Sequence, residues 1–255
     1  MKIGICYSIW KIDEAAAMGA DYIEGNCTVT SELSEEDFEK LCAITDASPI
    51  KFEAFNCLFP GEIRLTGPEF DPAKVEAYAR HVFPRLARLG ARSVVFGSGK
   101  SRKVPDDFDR AIAWHQLITV GRIIGSVARE NGLVIALEPL NTGETNIINS
   151  QAEGMRLVKD VADDNFRILT DSFHLYKGNE NGDAVAACGE YLTHIHVSNP
   201  TTRSYPVEGD GEDYADFFDG IRRAGYDARV SYEGNTREPE ALPAALAYIR
   251  KLANI

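Results

Sequence analysis

Short runs of β-branched and aromatic residues alternate along this chain with longer stretches in which apolar side chains recur every three or four positions. Eight of the short runs read as strands: Lys2–Ser8, Tyr22–Asn26, Lys51–Phe59, Ser93–Gly97, Leu133–Leu140, Phe166–Phe173, Thr193–Asn199 and Ala228–Gly234. The longer stretches between them read as amphipathic helices. From Asp71 to Leu89, Val75, Ala79, Val82, Leu86 and Leu89 fall on one helical face. The punctuation agrees. Ser34 stands before Glu35, Glu36 and Asp37, a capping residue followed by an acidic first turn. Gly19, Gly90, Gly132 and Gly225 stand where a helix must stop before the next strand begins.

Strand–helix alternation implies a parallel sheet, and eight units are enough to close it into a barrel. An open doubly wound sheet would alternate in the same way, but it would favour a phosphate loop after the first strand, where Cys6-Tyr7-Ser8-Ile9-Trp10 is found. The expected fold is therefore α/β, a single (β/α)8 TIM barrel. No linker or shift of composition divides the chain, so residues 1–255 are expected to form one domain.

Composition narrows the function. With 39 acidic against 27 basic side chains, a net charge of −12, and no basic cluster interleaved with aromatics, the chain should repel phosphate backbones. No nucleic acid partner is expected. No leader-like segment and no run of about 18 apolar residues is present, so neither export nor a membrane is expected. The five cysteines are odd in number and lack CxxC spacing, which fits reduced thiols in a cytoplasmic protein.

In a barrel of this kind the reactive groups belong at the C-terminal ends of the strands. Four consecutive strands deliver ionisable groups there: Glu138 in Ala136-Leu137-Glu138-Pro139-Leu140-Asn141, Asp171 and His174 in Asp171-Ser172-Phe173-His174, His194 and His196 in the seventh strand, and Glu233 in Ser231-Tyr232-Glu233. Carboxylates among apolar residues are costly to bury, and three sharing one pocket would repel each other. A divalent cation with one imidazole would resolve that repulsion, and an oxygen-rich shell suits Mn2+, Mg2+ or Co2+ better than structural zinc. Side chains two apart share a face of a strand. His196, nearer the C-terminal end, is expected to reach the cation, with His194 one layer deeper as a core or supporting residue. His81 and His115 fall in helical stretches.

On these motifs the chain resembles the sugar isomerase/epimerase superfamily of xylose-isomerase-like barrels, and within it the ketose 3-epimerases and inosose isomerases. The resemblance implies one divalent metal, Mn2+ first with Co2+ or Mg2+ as alternatives, bound by Glu138, Asp171, His196 and Glu233. It implies that Glu138 and Glu233 also form the acid/base pair, and that Glu144 and His174 contact sugar hydroxyls. The chain departs from its comparators at the substrate end. Thr142 and Gly143 follow Asn141 where arginine is common, and the basic residue past the seventh strand, Arg203, comes one position later.

The implied activity is proton abstraction next to a carbonyl of a ketose or keto-polyol, through an enediolate, giving epimerisation or isomerisation. The alternatives are a metal-dependent lyase on 3-keto-glycosides, resembling the barrel subunit of C-glycoside-cleaving enzymes, and a non-catalytic sugar-binding barrel. The expected partner is a small sugar or keto-sugar, with a homo-oligomer or a small partner subunit as further possibilities. A repair nuclease of this fold would need a histidine-rich three-zinc cluster, which five histidines with two on helices cannot build. Two weaker signals complete the reading. Gly97-Ser98-Gly99-Lys100 with Arg102 and Lys103 is expected to be a flexible rim loop rather than a phosphate site. Tyr7, Trp10, Phe55 and Phe59 are candidates for an apolar wall against a sugar ring, or for packing.

Overall fold

The computed structural model describes residues 1–235 and 239–254. Among them, eight strands run in chain order: β1 (Lys2–Cys6), β2 (Tyr22–Asn26), β3 (Phe52–Asn56), β4 (Ser93–Phe96), β5 (Val134–Leu137), β6 (Phe166–Asp171), β7 (Leu192–Val197) and β8 (Arg229–Tyr232). Each pairs in parallel with its sequence neighbour, and β8 pairs with β1 to close the barrel. The (β/α)8 TIM barrel is thus the observed architecture.

Local chemistry sets the helix ends as the sequence suggests. Asp71 caps the helix Pro72–Leu89 by accepting from the Ala73 and Lys74 amides, and Ser34 caps Glu35–Ala47 by accepting from Asp37. Gly90 ends the first of these helices at φ 105°, a conformation that a side chain would resist. That helix buries Val75, Ala79, Val82, Phe83, Leu86 and Leu89 against the barrel. At about 1.5–3 kcal/mol for each large apolar side chain taken from water, one such face outweighs the weak intrinsic preference of the segment for a helix.

Most strands are shorter than their apolar runs. β1 stops at Cys6, β3 at Asn56 and β5 at Leu137. The apolar residues beyond, such as Leu58, Phe59 and Leu140, are buried in loops that fold over the barrel mouth. Burial continues there after strand pairing has ended, and hydrophobicity alone cannot distinguish the two.

Inside the barrel each strand offers two inward positions. The lower set contains Gly4, Tyr22, Val95, Ala136, Leu169, His194 and Ser231. Val95, Ala136 and Leu169 form a small cluster apart from the main core, and the Tyr22 hydroxyl bonds Ser231 Oγ at 2.7 Å. Tyr22 lies fully buried across the barrel because Gly4, its register partner on β1, has no side chain; a Cβ there would stand 2.5 Å from Tyr22 Cε1 and Cε2. Gly4→Ala should therefore lower stability by about 1–3 kcal/mol, the usual cost of overpacking a filled core. Denaturant titration checks this; an unchanged midpoint would mean that Tyr22 has room to move.

Candidate functional site

Two residues beyond the lower set, the upper inward positions carry polar groups or no side chain: Cys6, Glu24, Asn56, Gly97, Glu138, Asp171, His196 and Glu233. Asp171 is the last residue of β6 and is paired with His196 on β7. Glu138 and Glu233 are each one residue past the end of their strands. Glu138, Asp171, His196 and Glu233 each present one ligand atom, and the four atoms lie within 4.8 Å of one another. All four sequence-derived candidates thus converge. Gly97 makes room for the convergence, because a Cβ at that position would collide with Glu138 Oε2.

His196 lies at the centre. Its Nδ1 bonds Glu138 Oε1 at 3.2 Å and stands 3.4 Å from Glu233 Oε2, while its Nε2–H donates to Glu24 Oε1 at 2.9 Å. Burial alone would strip the imidazole of its proton, but Glu24 and Glu233 outweigh burial and raise its pKa well above the ordinary value. Burial likewise opposes ionisation of Glu233, but His196 and Arg203 hold it well below the usual carboxylate range. Asp171 goes the other way. Burial, followed by the charges of Glu233 and Glu138, pushes it up to about 6 against the opposing pull of His174 and His196.

Asp171 Oδ1 accepts from the Phe173 amide at 2.6 Å, whereas its fully buried Oδ2 has no hydrogen-bond partner among the described residues. A buried carboxylate oxygen left without a donor is costly in any finished core. Three carboxylates and one imidazole, with one buried Asp171 oxygen lacking a hydrogen bond, fit a divalent cation that prefers oxygen. The chemistry of the donor set and the orphaned oxygen agree.

The groups assigned to the substrate end lie beside this cluster. Arg203 donates to Glu233 Oε2 at 2.8 Å and to Glu144 Oε1 at 3.1 Å, with its guanidinium over the Phe173 ring at 4.8 Å. His174 Nδ1 accepts from both the backbone and side-chain N–H of Asn141, at 3.2 and 2.9 Å. That fixes the proton on Nε2, which is buried, 4.0 Å from Asp171 Oδ2, and without a hydrogen-bond partner among the described residues. With Glu138 and Glu233, these residues line a cleft of about 250 Å3 whose other wall is Phe59, Gly97 and Lys100. A larger groove of about 530 Å3, between the helices Arg110–Glu130 and Gln151–Val161, lies away from the donors and has no converging ligands.

Some residues escaped the sequence reading. Glu24 on β2 is 1% exposed and accepts from His194 and His196 together. Asn56 on β3 donates to Glu233 Oε1 at 3.3 Å. Both could have been found by applying the two-residue inward periodicity to β2 and β3 as well as to β5–β8. The 97–103 segment departs from expectation more sharply. Instead of a flexible loop, Gly99–Arg102 forms a helical turn, and Arg102 is fully buried, donating to the Phe96 and Glu138 carbonyls. Burial draws Arg102 down to about 10, with Glu138 opposing, so it stays charged at neutral pH and pins the backbone that carries Glu138. Among the aromatic candidates, Phe55 is core and stacks on Phe52, Phe59 faces the cleft, and Trp10 is 42% exposed. His194 is the deeper of the two strand histidines, its ring 5.2 Å from that of His196. His81 and His115 lie on helices, as expected.

Residues 12–252 match the family model described as xylose isomerase-like TIM barrel. The D-psicose 3-epimerase of Ruminiclostridium cellulolyticum is 26% identical over 225 residues, covering 82% of this chain and 75% of that protein. A crystal structure of D-psicose 3-epimerase determined in the presence of D-fructose superposes with a TM-score of 0.87 at 21% identity, over 100% of both chains. That of 3-keto-D-glucoside 4-epimerase from E. coli gives 0.83 at 20% identity, over 98% of this chain and 99% of the other.

The electrostatics generate a prediction about metal uptake. In the metal-free protein His196 carries a proton that a coordinated Nδ1 must lose, and Asp171 gains one as pH falls through about 6. Both protons oppose the cation, so affinity should rise with pH, most steeply from below 6 upward, and binding should release protons. Calorimetry in buffers of different ionisation enthalpy measures this directly. Mn2+ affinity that is flat between pH 5 and 8 would contradict the assigned ligand set.

Proposed function

The chain belongs to the xylose isomerase-like TIM barrel family, and from that premise we propose that it is a divalent-metal-dependent epimerase acting on a ketose or closely related keto-sugar. The observation that carries this reading is the convergence of Glu138, Asp171, His196 and Glu233 within 4.8 Å, with a buried Asp171 oxygen left without a hydrogen bond among the described residues. Those four residues would hold the ion; the oxygen-rich donor set favours Mn2+, with Co2+ or Mg2+ as substitutes. A bound cation would polarise the substrate carbonyl and stabilise the negative charge of the enediolate.

The chain's own residues do the rest. One of Glu138 and Glu233 removes the proton from the carbon next to the carbonyl. The other returns a proton to the opposite face, inverting the centre. His174 offers its Nε2–H to a substrate oxygen, since Asn141 occupies its other nitrogen. Arg203 and Glu144, already paired at 3.1 Å, give a donor and an acceptor for hydroxyls at the far side of the cleft. A pair of glutamates in the cluster suits two proton transfers, one removing a proton and one returning it, which an epimerase needs. The lyase alternative needs one, and a non-catalytic sugar-binding barrel needs none.

The named relatives act on D-psicose and on keto-glycosides, which supports a free or glycosidic keto-sugar as substrate. We read residues 1–255 as one domain. All five cysteines are free, in keeping with a cytoplasmic setting, and among the described residues no helix is long and apolar enough to cross a membrane. A homo-oligomer or a small partner subunit is compatible with this reading.

Purified protein should carry about one divalent ion per chain, lost to a chelator and regained best with Mn2+. Asp171→Ala should remove binding, and full occupancy in that variant would refute the ligand set. The paired glutamates are tested in D2O with D-psicose, D-fructose and 3-keto-glycosides as first substrates. Wild type should place deuterium at the inverted carbon. Glu233→Gln, saturated with metal, should lose at least ~10²-fold in turnover, the scale of a positioned acid or base. It should still exchange the substrate proton from one epimer, with Glu138→Gln showing the mirror defect from the other. Near-normal inversion in both metal-loaded variants would make the glutamates ligands only.

A further inference from the structure

We propose that Glu24 is a positioning residue that sets the metal affinity of the centre by fixing which nitrogen of His196 faces it; this rests on the metal-centre reading above. Glu24 is on β2, outside the four residues assigned to hold the metal, and bonds one of them, His196, directly. It is 1% exposed, and the residues it bonds, His194, His196 and Ser231, are fully buried. Its Oε1 takes the His196 Nε2–H at 2.9 Å, and its Oε2 takes the His194 Nε2–H at 2.8 Å and the Ser231 hydroxyl at 2.5 Å. An ionised carboxylate only accepts, so both imidazoles must carry hydrogen on Nε2. For His196 that leaves Nδ1, once its proton has gone, as the nitrogen able to coordinate, and Nδ1 is the one directed at Glu138 and Glu233.

The surroundings keep Glu24 from yielding. Ser231 is held in turn by the Tyr22 hydroxyl at 2.7 Å, and the His194 ring stands nearly perpendicular to that of His196, at 82°. Cys6 is the register partner of Glu24 on β1, and Ser231 that of His196 on β8. The clamp therefore joins β2, β7 and β8 behind one ligand. An amide in place of the carboxylate could accept from only one imidazole and would present N–H to the other. The imidazole that meets the amide N–H must move its proton to Nδ1 or turn its ring, and the other exchanges a charged acceptor for a neutral one, so His196 loses its carboxylate anchor in either orientation.

The test uses the full chain and Mn2+ alone, with free Mn2+ followed by electron paramagnetic resonance and thermal midpoints recorded on the metal-free protein. Glu24→Gln should weaken Mn2+ binding by about 10–100-fold, the range for losing the anchor of a metal-bound histidine. Glu24→Asp keeps the charge but is one methylene short of both rings, so it should recover part of that loss. Ser231→Ala removes a donor to Glu24 but leaves His196 anchored; it should lower the thermal midpoint while holding Mn2+ affinity within about two-fold, a difference under 0.5 kcal/mol. Affinity losses that simply track the thermal midpoint across the three variants would overturn the proposal, as would wild-type affinity in folded Glu24→Gln. Should Glu24→Gln not fold, wild-type affinity in Glu24→Asp overturns it and an intermediate loss upholds it. A wild-type protein that binds no Mn2+ would instead refute the metal centre itself.

Discussion

Three carboxylates meeting at one buried point is the constraint on which the rest of this molecule turns. Two unit charges near 4.8 Å repel by about 3–4 kcal/mol at an effective dielectric of ~20. Three such pairs together rival the whole stability of an ordinary domain. The metal-free protein meets this with what it has. His196 takes up a proton between Glu24, Glu138 and Glu233, Arg203 reaches Glu233 from the rim, and Asp171 moves toward its neutral form. Each of these does part of what a cation would do, and the two protons must leave before one can bind. The orphaned Asp171 oxygen is what the substitution leaves unsatisfied.

Holding such a site apart from collapse requires a frame that does not yield, and the barrel supplies it strand by strand. Gly97 leaves room for the Glu138 carboxylate, and buried Arg102 ties the Glu138 carbonyl to that of Phe96 on the neighbouring strand. Below the ring, Tyr22 fills the space vacated by Gly4 and steadies Ser231. The polar upper layer therefore rests on a lower layer of packed apolar residues and of polar ones tied to it by hydrogen bonds, such as Ser231 and the Nε2 of His194 to Glu24. Flexibility in either layer would let the carboxylates spread and would cost the cation its geometry.

Much of this was legible before any coordinates. The 3.6- and 2-residue periods gave the eight units, because each strand and helix must bury one face and the pattern records which. The ligands on β5–β8 stood out because Glu138, Asp171 and Glu233 interrupt apolar runs where a charge has no other reason to be. Glu24 interrupts β2 in the same manner, but its signal is weaker: Gly25 and Asn26 follow it, so the apolar run it interrupts is short. The strand ends were misjudged where Phe59 and Leu140 extend apolarity past the last paired residue. Arg102 could not be read at all. An arginine after Gly-Ser-Gly-Lys looks solvated in sequence, and only the tertiary fold shows that its guanidinium caps buried carbonyls.

The division between legible and illegible follows a division of labour in the site. What the strands carry, at Glu138, Asp171, His196 and Glu233, is tied to register and obeys a period. What the loops carry does not. Cys57, Ser98 and Arg203 line the cleft, and all three adopt left-handed backbone conformations that non-glycine residues disfavour, with φ of 53°, 44° and 54°. Such residues cost about 1–3 kcal/mol each and persist only where the surroundings hold them. Arg203 is held by its bonds to Glu233 and Glu144, so the strained loop is anchored by the very carboxylates it serves. A substrate that draws Arg203 away from Glu233 would loosen that anchor while it freed an oxygen for proton transfer. On the proposed function, substrate recognition and the availability of the base would thus be coupled through a single guanidinium.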